Sequence, residues 1–119
     1  MINEKEIENK LATLINKHGT RNPRLLAKYE GIIIIERPYK KQMGAFAVVN
    51  KIPFVFIKED LDELEKNRII SHELGHYILH RNKLKDISIL RDFSLFKKQE
   101  NIMEMEANYF MEKLLSDNI

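Results

Sequence analysis

The chain has 119 residues, enough for one domain with its own core and too few for two, so residues 1–119 are treated as a single domain. Charged residues make up 32% of the sequence and hydrophobic residues 44%, and the net charge of +2 is too small to indicate a nucleic-acid-binding surface. Cysteine is absent, which excludes disulfides, thiolate metal sites and a cysteine nucleophile and is typical of a reducing compartment.

Neither a signal peptide nor a membrane span is expected. The N-terminus is charged and lacks an apolar segment, and the longest aliphatic run, Ile32 to Ile35, is too short to cross a bilayer. We therefore expect a cytoplasmic protein.

Two helices are predicted at the start of the chain. A capping-box pattern followed by apolar residues at helical spacing predicts a helix over 4–17, which Gly19 ends. Asn22 and Pro23 begin a second, shorter helix, and Gly31 ends it. A helix-turn-helix DNA-binding unit would need a third helix and a basic recognition face, and neither is evident after Gly31.

The residue pattern in the middle of the chain predicts three strands. Four consecutive isoleucines at 32–35 suit a buried strand, and residues 44–49 and 52–57 form two more strands joined at Asn50-Lys51 as a hairpin. Pro53 cannot donate a backbone hydrogen bond, so it is expected near a sheet edge or at a strand start. The pattern predicts a small, mostly antiparallel sheet.

One of these strands is a candidate substrate-binding edge. An exposed strand at the edge of a sheet can hold an extended substrate through main-chain hydrogen bonds. Ala45, Phe46 and Ala47 are the candidates for this edge. An ordinary core strand is the alternative.

The next helix carries the motif with the clearest chemistry. Asp60 and Glu63 are the expected caps, and His72, Glu73 and His76 spell H-E-x-x-H. Residues four apart lie on one helix face roughly 6 Å from each other, so both imidazoles can bind one Zn²⁺. Glu73 then stands beside the metal, where a general base can deprotonate a water that the metal has made more acidic. A purely structural role for both histidines is the alternative.

The third ligand has to come from another segment. His80, near the predicted end of this helix, lies roughly 12 Å along the axis from His72, too far for both to bind one ion, and we expect it to interact with the helix C-terminus or make a local hydrogen bond. The extended motif H-E-x-x-H-x-x-G-x-x-H is excluded because Leu79 and Asn82 stand where it requires Gly and His.

A last helix is predicted to supply that ligand. Residues 81–97 have no clean period and are predicted to be a loop with at most one helical turn. From about Gln99 to Leu115 the pattern is helical, and Glu104 begins an apolar stripe, where a carboxylate needs a partner such as a metal ion. Glu106 is the competing candidate, but it is expected to point to a more polar side.

These segments together resemble a known family. The sequence from Arg68 through the motif to His80, followed by Glu104-Met105-Glu106-Ala107-Asn108-Tyr109-Phe110 and Leu114-Leu115, resembles the ImmA/IrrE family of zinc metallopeptidases. The Asn22-Pro23 helix that leads through Gly31 into the first strand is similar to that family's N-terminal part. The resemblance therefore covers most of the chain.

The resemblance implies a gluzincin-like site in which one zinc ion is bound by His72, His76 and Glu104, with Glu73 as general base. Asn108 stands where related enzymes place a group that supports a metal ligand. Many members encoded by bacteria, prophages and mobile elements cut a helix-turn-helix repressor. Many also continue into further helices, so we expect either an open substrate cleft or a partner that completes it.

The resulting prediction is an α+β, zincin-like single domain with an active-site helix and a C-terminal ligand-bearing helix. Its predicted function is zinc-dependent cleavage of a regulatory protein, a helix-turn-helix repressor of a phage or mobile element. The alternative is a catalytically silent, zinc-stabilised module that binds such a repressor. Direct nucleic-acid binding and membrane binding are not expected, and the sequence leaves the oligomeric state open. Tyr39, Tyr77 and Tyr109 are alternatives for the oxyanion-stabilising group.

Overall fold

The computed structural model describes the backbone of residues 2–84 and 97–116, and the predicted α+β class is confirmed. Within these ranges no helix is sufficiently long and apolar to span a membrane. In chain order the elements are α1 Glu4–His18, α2 Pro23–Tyr29, β1 Ile33–Arg37, β2 Gly44–Val49, β3 Ile52–Lys58, α3 Glu63–Leu84 and α4 Lys97–Leu115.

The first two helices begin and end where the sequence predicts. The side chain of Asn3 accepts a hydrogen bond from the Glu6 backbone N–H, and Gly19 ends α1 with a φ of 69°. Asn22 caps α2 in the same way, with Pro23 in the first turn. Gly31 has a φ of 80°, a conformation that favours glycine, and it turns the chain into β1.

The three strands form one sheet in the order β1-β3-β2. β2 and β3 form the predicted antiparallel hairpin, and Asn50 and Lys51 have φ values of 52° and 69°, as a two-residue type I′ turn requires. β1 runs parallel to β3, so the sheet is mixed and not mostly antiparallel. The difference arises because the segment 38–43 carries the chain past the central position, which β3 then fills.

Pro53 lies at the start of β3, as expected. The pairing between β1 and β3 begins one residue later, with Ile33 opposite Phe54. On its other side Pro53 faces Val48 in the antiparallel register. The missing N–H therefore falls where the ladder does not need it.

The cap of α3 differs from the prediction. The side chain of Asp62 accepts a hydrogen bond of 2.8 Å from the Glu65 backbone N–H, so the prediction that Asp60 and Glu63 are the caps was wrong. Glu63 instead lies in the first turn, where its carboxylate is 2.9 Å from Nε of Arg24. Spacing identified the correct turn, but neighbouring carboxylates share the same capping chemistry and only the backbone geometry distinguishes them.

The ends of the predicted loop also differ. α3 continues beyond His80 to Leu84, and α4 begins at Lys97 instead of Gln99. The remainder of the predicted loop, residues 85–96, lies outside the described residues. α3 and α4 are therefore both longer than the apolar pattern indicates, because their adjoining ends are polar.

The core lies where α3 packs against the sheet, α1 and α4. Its fully buried side chains include Phe110, Leu114, Ile70 and Leu74. The apolar face of α1 is buried in the same cluster through Ile7, Leu11 and Leu14. The first helix is thus part of the support for α4.

Candidate metal centre

Three histidines lie one helical turn apart on α3. The ring centroids of His72 and His76 are 4.8 Å apart, and those of His76 and His80 are 5.2 Å apart. The His72 side chain is 18% exposed, whereas His76 and His80 are buried at 0% and 2%. The row therefore runs from the surface into the interior.

α4 brings the carboxylate of Glu104 to the two histidines of the motif. Its Oε1 lies 2.8 Å from Nε2 of His72, and its Oε2 lies 2.9 Å from Nε2 of His76. All three residues offer a ligand atom within 4.8 Å of the others, so the group could hold a metal ion. Two His nitrogens and one carboxylate oxygen are a usual ligand set for catalytic Zn²⁺, whose donors lie at about 2.0 to 2.2 Å.

A glycine inside the motif allows this close approach. A Cβ added to Gly75 would lie 3.1 to 3.2 Å from atoms of Phe110, which is fully buried in α4. That separation is shorter than ordinary van der Waals contact. Gly75 therefore lets α4 lie close enough to α3 for Glu104 to reach both imidazoles.

The electrostatics of the group favour an ionised carboxylate. Burial acts to raise the pKa of Glu104, but hydrogen bonds to His72 and then His76, with the charges of both rings, hold that pKa far below its usual range. Burial acts to lower the pKa of His72, yet the hydrogen bond to Glu104 and the charges of Glu73 and Glu104 raise it. A hydrogen bond from His72 to Asn108 adds to the rise.

Glu73 lies beside the metal-binding group and is 5% exposed. It lines a groove of roughly 390 Å³ together with His72 and Glu104. The remaining wall comes from residues 42–46 at the start of β2, from Arg68 of α3 and from Asn108 of α4. The groove thus connects the candidate base, the ligand group and one strand.

Comparison with known proteins agrees with this geometry. Residues 27–117 match Peptidase_M78, the IrrE N-terminal-like domain. The chain belongs to this family. A similar protein is "Uncharacterized immunity region protein 2" of Bacillus phage phi105, which is 32% identical over 103 residues. The alignment covers 86% of this chain and 63% of that protein, so the chain spans less than two thirds of its relative's length.

The IrrE-like domain has β2 at the edge of its sheet. The Lys58 backbone N–H donates to the Met43 carbonyl at 2.9 Å, which fixes the alternation of the antiparallel ladder. By that alternation Ala45 and Ala47 direct their backbone groups to β3, whereas Gly44, Phe46 and Val48 direct theirs away from the sheet. Of the three edge candidates, only Phe46 therefore presents outward backbone donors and acceptors.

The three tyrosines considered as oxyanion stabilisers do not line the described groove. Tyr109 donates a hydrogen bond to Glu8 of α1, which raises the pKa of Tyr109 to about 12. Tyr77 packs against Phe46 and Arg81, and Tyr39 lies near Pro38 and Asp60. Besides His72, the side chains with N–H groups that line the described groove are Gln42, Arg68 and Asn108.

The structure gives Glu106 a different environment from the polar face that was expected. Its Oε1 lies 2.8 Å from Nε2 of the buried His80, whose Nδ1 is 3.0 Å from Nδ1 of His76. The expectation that Glu106 points to a polar side was wrong, because α4 crosses α3 and brings Glu104 and Glu106 against different histidines. The spacing from His72 excludes His80 as a ligand of the same ion, but no pattern in the sequence predicts its contact with Glu106, which only the crossing of the helices determines.

Proposed function

We propose that this protein is a zinc-dependent endopeptidase that cuts a regulatory protein in the cytoplasm. The observation that carries the proposal is the convergence of His72, His76 and Glu104 within 4.8 Å, with buried Glu73 in the same groove. Membership of a peptidase family supports it. The ligand set, the candidate base and a groove open to substrate are the parts that metal-assisted peptide hydrolysis requires.

Each residue has a defined task in this reaction. When bound, zinc supplies Lewis acidity that polarises the scissile carbonyl and makes the attacking water more acidic. Glu73 accepts the proton of that water and delivers it to the leaving amine. Asn108 lines the groove together with His72 and would support the orientation of that ligand.

The substrate is proposed to bind as an extended strand along β2. Gly44, Phe46 and Val48 have backbone groups directed away from the sheet, and residues 42–46 also line the groove beside His72. A strand added there would receive main-chain hydrogen bonds with little demand on its side chains. This mode of binding suits cleavage at an exposed or locally unfolded segment of a larger protein.

A helix-turn-helix repressor of a phage or mobile element is the proposed substrate. The resemblance to the ImmA/IrrE family implies a substrate of this kind, and the phage phi105 relative is named as an immunity region protein. The chemical requirement at the site is only an extended peptide segment.

The test is cleavage of a candidate repressor by the purified chain and by Glu73→Gln. We expect one zinc per chain in both proteins, a new pair of fragments with the wild type, and at least a hundredfold slower cleavage with Glu73→Gln, because the ligands remain and the base is lost. Intact-mass spectrometry would identify the cut bond. Glu112→Gln, which changes an exposed carboxylate of α4, is the matched control.

Two results would contradict the proposal. If the wild type offered zinc binds none, the ligand assignment fails. If Glu73→Gln relieves repression in cells as well as the wild type does, the chain is a zinc-stabilised binding module and not a peptidase.

A further inference from the structure

Behind the metal-binding group lies a second carboxylate–histidine pair that the reaction above does not use. His80 is 2% exposed, and its Nδ1 lies 3.0 Å from Nδ1 of His76. On the other side of the ring, Nε2 of His80 lies 2.8 Å from Oε1 of Glu106. The three side chains form a continuous row from α4 to the inner histidine of the motif.

The row allows only one arrangement of protons when Nε2 of His76 carries none and is available to a metal ion. The ionised carboxylate of Glu106 can only accept a hydrogen bond, so Nε2 of His80 must carry its proton. Nδ1 of His80 is then an acceptor, and the Nδ1 of His76 that faces it must be the donor. The opposite tautomers would place lone pairs against the carboxylate at 2.8 Å.

This arrangement leaves the lone pair of His76 on Nε2. That nitrogen is the one that faces Glu104, at 2.9 Å. We propose that Glu106 and His80 are positioning residues that fix His76 in the tautomer and orientation required to bind a metal ion through Nε2.

The burial of both rings strengthens the hydrogen bond between His76 and His80. His76 and His80 are almost fully buried, so water does not compete for the hydrogen bond between the two rings, and the bond acts in a low local dielectric. A metal-binding histidine commonly donates its second N–H to a carboxylate or carbonyl, which orients the ring and raises its basicity. Here His80 stands between the carboxylate and the ligand and transmits the same constraint.

The row also gives the two glutamates of α4 separate roles. Glu104 contacts His72 and His76 directly, whereas Glu106 contacts His80. One helix therefore supplies both a ligand and the carboxylate that prepares another ligand. The inference rests on the proposed metal site, but the tautomer of His80, which its contact with Glu106 sets, does not depend on any catalytic activity.

The first experiment is nitrogen-15 NMR of the histidine rings in metal-free protein, in the wild type, Glu106→Gln and His80→Phe. We expect the Nε2–H tautomer at His80 in the wild type and a mixture of tautomers there in Glu106→Gln, while His80→Phe identifies the signals of His80. A predominant Nδ1–H tautomer at His80 in the wild type would overturn the inference.

The second experiment measures zinc affinity by competition with a chelator in the same proteins, with Glu112→Gln as control. Loss of a supporting group typically weakens metal binding by roughly tenfold to a hundredfold, and we expect that range for Glu106→Gln and His80→Phe and no change for the control. Affinity within twofold of the wild type in a folded Glu106→Gln would refute the positioning role. If His80→Phe does not fold, Glu106→Gln decides, because its side chain has the same shape as that of the wild type.

The two proposals can fail separately. Absence of zinc binding by the wild type would remove the proposed peptidase while leaving the tautomer of His80 to be measured. Zinc-dependent cleavage with unchanged affinity in Glu106→Gln would leave the peptidase and remove only the role of this row.

Discussion

The carboxylate of Glu104 touches both histidines of the motif, and this contact distinguishes it from the other acidic side chains described on α4. Its two oxygens lie 2.8 and 2.9 Å from the Nε2 atoms of His72 and His76. Glu106, two residues later, contacts His80 instead. At the scale of single residues, the third ligand and its supporting carboxylate therefore differ in which nitrogen they face.

This difference predicts an order of effects on metal binding. Glu104→Ala removes a direct ligand and should lower zinc affinity by more than a hundredfold, whereas Glu106→Ala should lower it by roughly tenfold to a hundredfold. Zinc per chain after dialysis against a weak chelator, followed by a competition titration, would measure both. A larger loss with Glu106→Ala than with Glu104→Ala would reverse the assignment.

The sequence alone predicts the contacts of some of these residues but not of others. The spacing of His72 and His76 on one helix is a local property, so the motif predicts their proximity directly. Glu104 was favoured because a carboxylate at the start of an apolar stripe needs a partner. The contact between His80 and Glu106 depends on how α4 crosses α3. The spacing of apolar residues along each helix does not predict that crossing.

At the scale of elements, Gly75 of the motif allows α3 and α4 to pack closely where they cross. Gly75 faces Phe110, which is fully buried. Alanine would favour the helix by about 1 kcal/mol, but its Cβ would lie within 3.2 Å of the ring. The crowding should outweigh the gain in helix propensity.

Gly75→Ala should therefore lower the free energy of unfolding by about 1–2 kcal/mol and weaken zinc binding, because α4 must move away from α3. Urea denaturation and a zinc titration would test this. The double variant Gly75→Ala/Phe110→Leu, which shortens the opposing side chain, should recover part of the affinity. A single variant that is more stable than the wild type and binds zinc equally well would show that the contact does not set the crossing.

The junction of α1 and α2 is held by a buried carboxylate. Glu30, whose side chain is 9% exposed, accepts hydrogen bonds from His18 at 2.6 Å and Lys17 at 3.4 Å. Burial acts to raise the pKa of Glu30, but the contacts with His18 and Lys17 outweigh it and lower that pKa below 4.5. A carboxylate of this kind stabilises the fold above its unfolded pKa and loses that contribution as the pH falls through its folded pKa.

Glu30→Gln should consequently cost about 1 kcal/mol of stability at pH 7. The difference from the wild type should begin to shrink as the pH falls below 4.5, the ordinary pKa of a glutamate carboxyl, and should vanish as the pH falls through the lower folded pKa, because the folded carboxyl is then protonated as well. Thermal unfolding of both proteins between about pH 3 and pH 7 would show whether the stability difference shrinks toward low pH. A difference that grows toward low pH would contradict it.

The presence of each helix and strand was easier to predict than the way in which the strands pair. The hairpin turn at Asn50-Lys51 and the ends of α1 and α2 follow from local backbone preferences, and the structure has them as predicted. The parallel pairing of β1 with β3 could not be predicted in the same way, because it depends on where the later strand is inserted. The outward backbone of Phe46, and the inward backbone of Ala45 and Ala47, follow from that pairing and its register.

At the scale of the whole molecule, the residues before the matched range support the helix that carries Glu104. The family match begins at residue 27, but Leu11 and its neighbours on α1 pack in the same cluster as Phe110 and Leu114. Arg21 also donates hydrogen bonds of 2.6 and 3.0 Å to the last carbonyls of α4. The N-terminal helix and Arg21 thus hold the far end of the ligand-bearing helix in place.

A metal ion at this centre would connect α3 to α4 across the middle of the core, so its binding should be coupled to folding of the whole chain. At zinc concentrations about a hundredfold above the dissociation constant, the free energy of unfolding should rise by about 2.7 kcal/mol. His76→Ala should lose that increment along with the metal, because His76 is fully buried and contributes one of the ligands. Calorimetry with and without zinc would measure both effects.

Leu11→Ala is the control that separates coupling between metal binding and folding from a local effect at the metal site. It removes a buried side chain of α1 that does not belong to the metal-binding group. It should destabilise the protein by about 2–5 kcal/mol, yet zinc should still stabilise the variant by the same increment as the wild type at equal saturation. If zinc raised the unfolding temperature of His76→Ala as much as that of the wild type, the ion would be binding elsewhere. If it raised neither, α3 and α4 would be held together by Phe110 and its neighbours alone, and the metal would have no part in the fold.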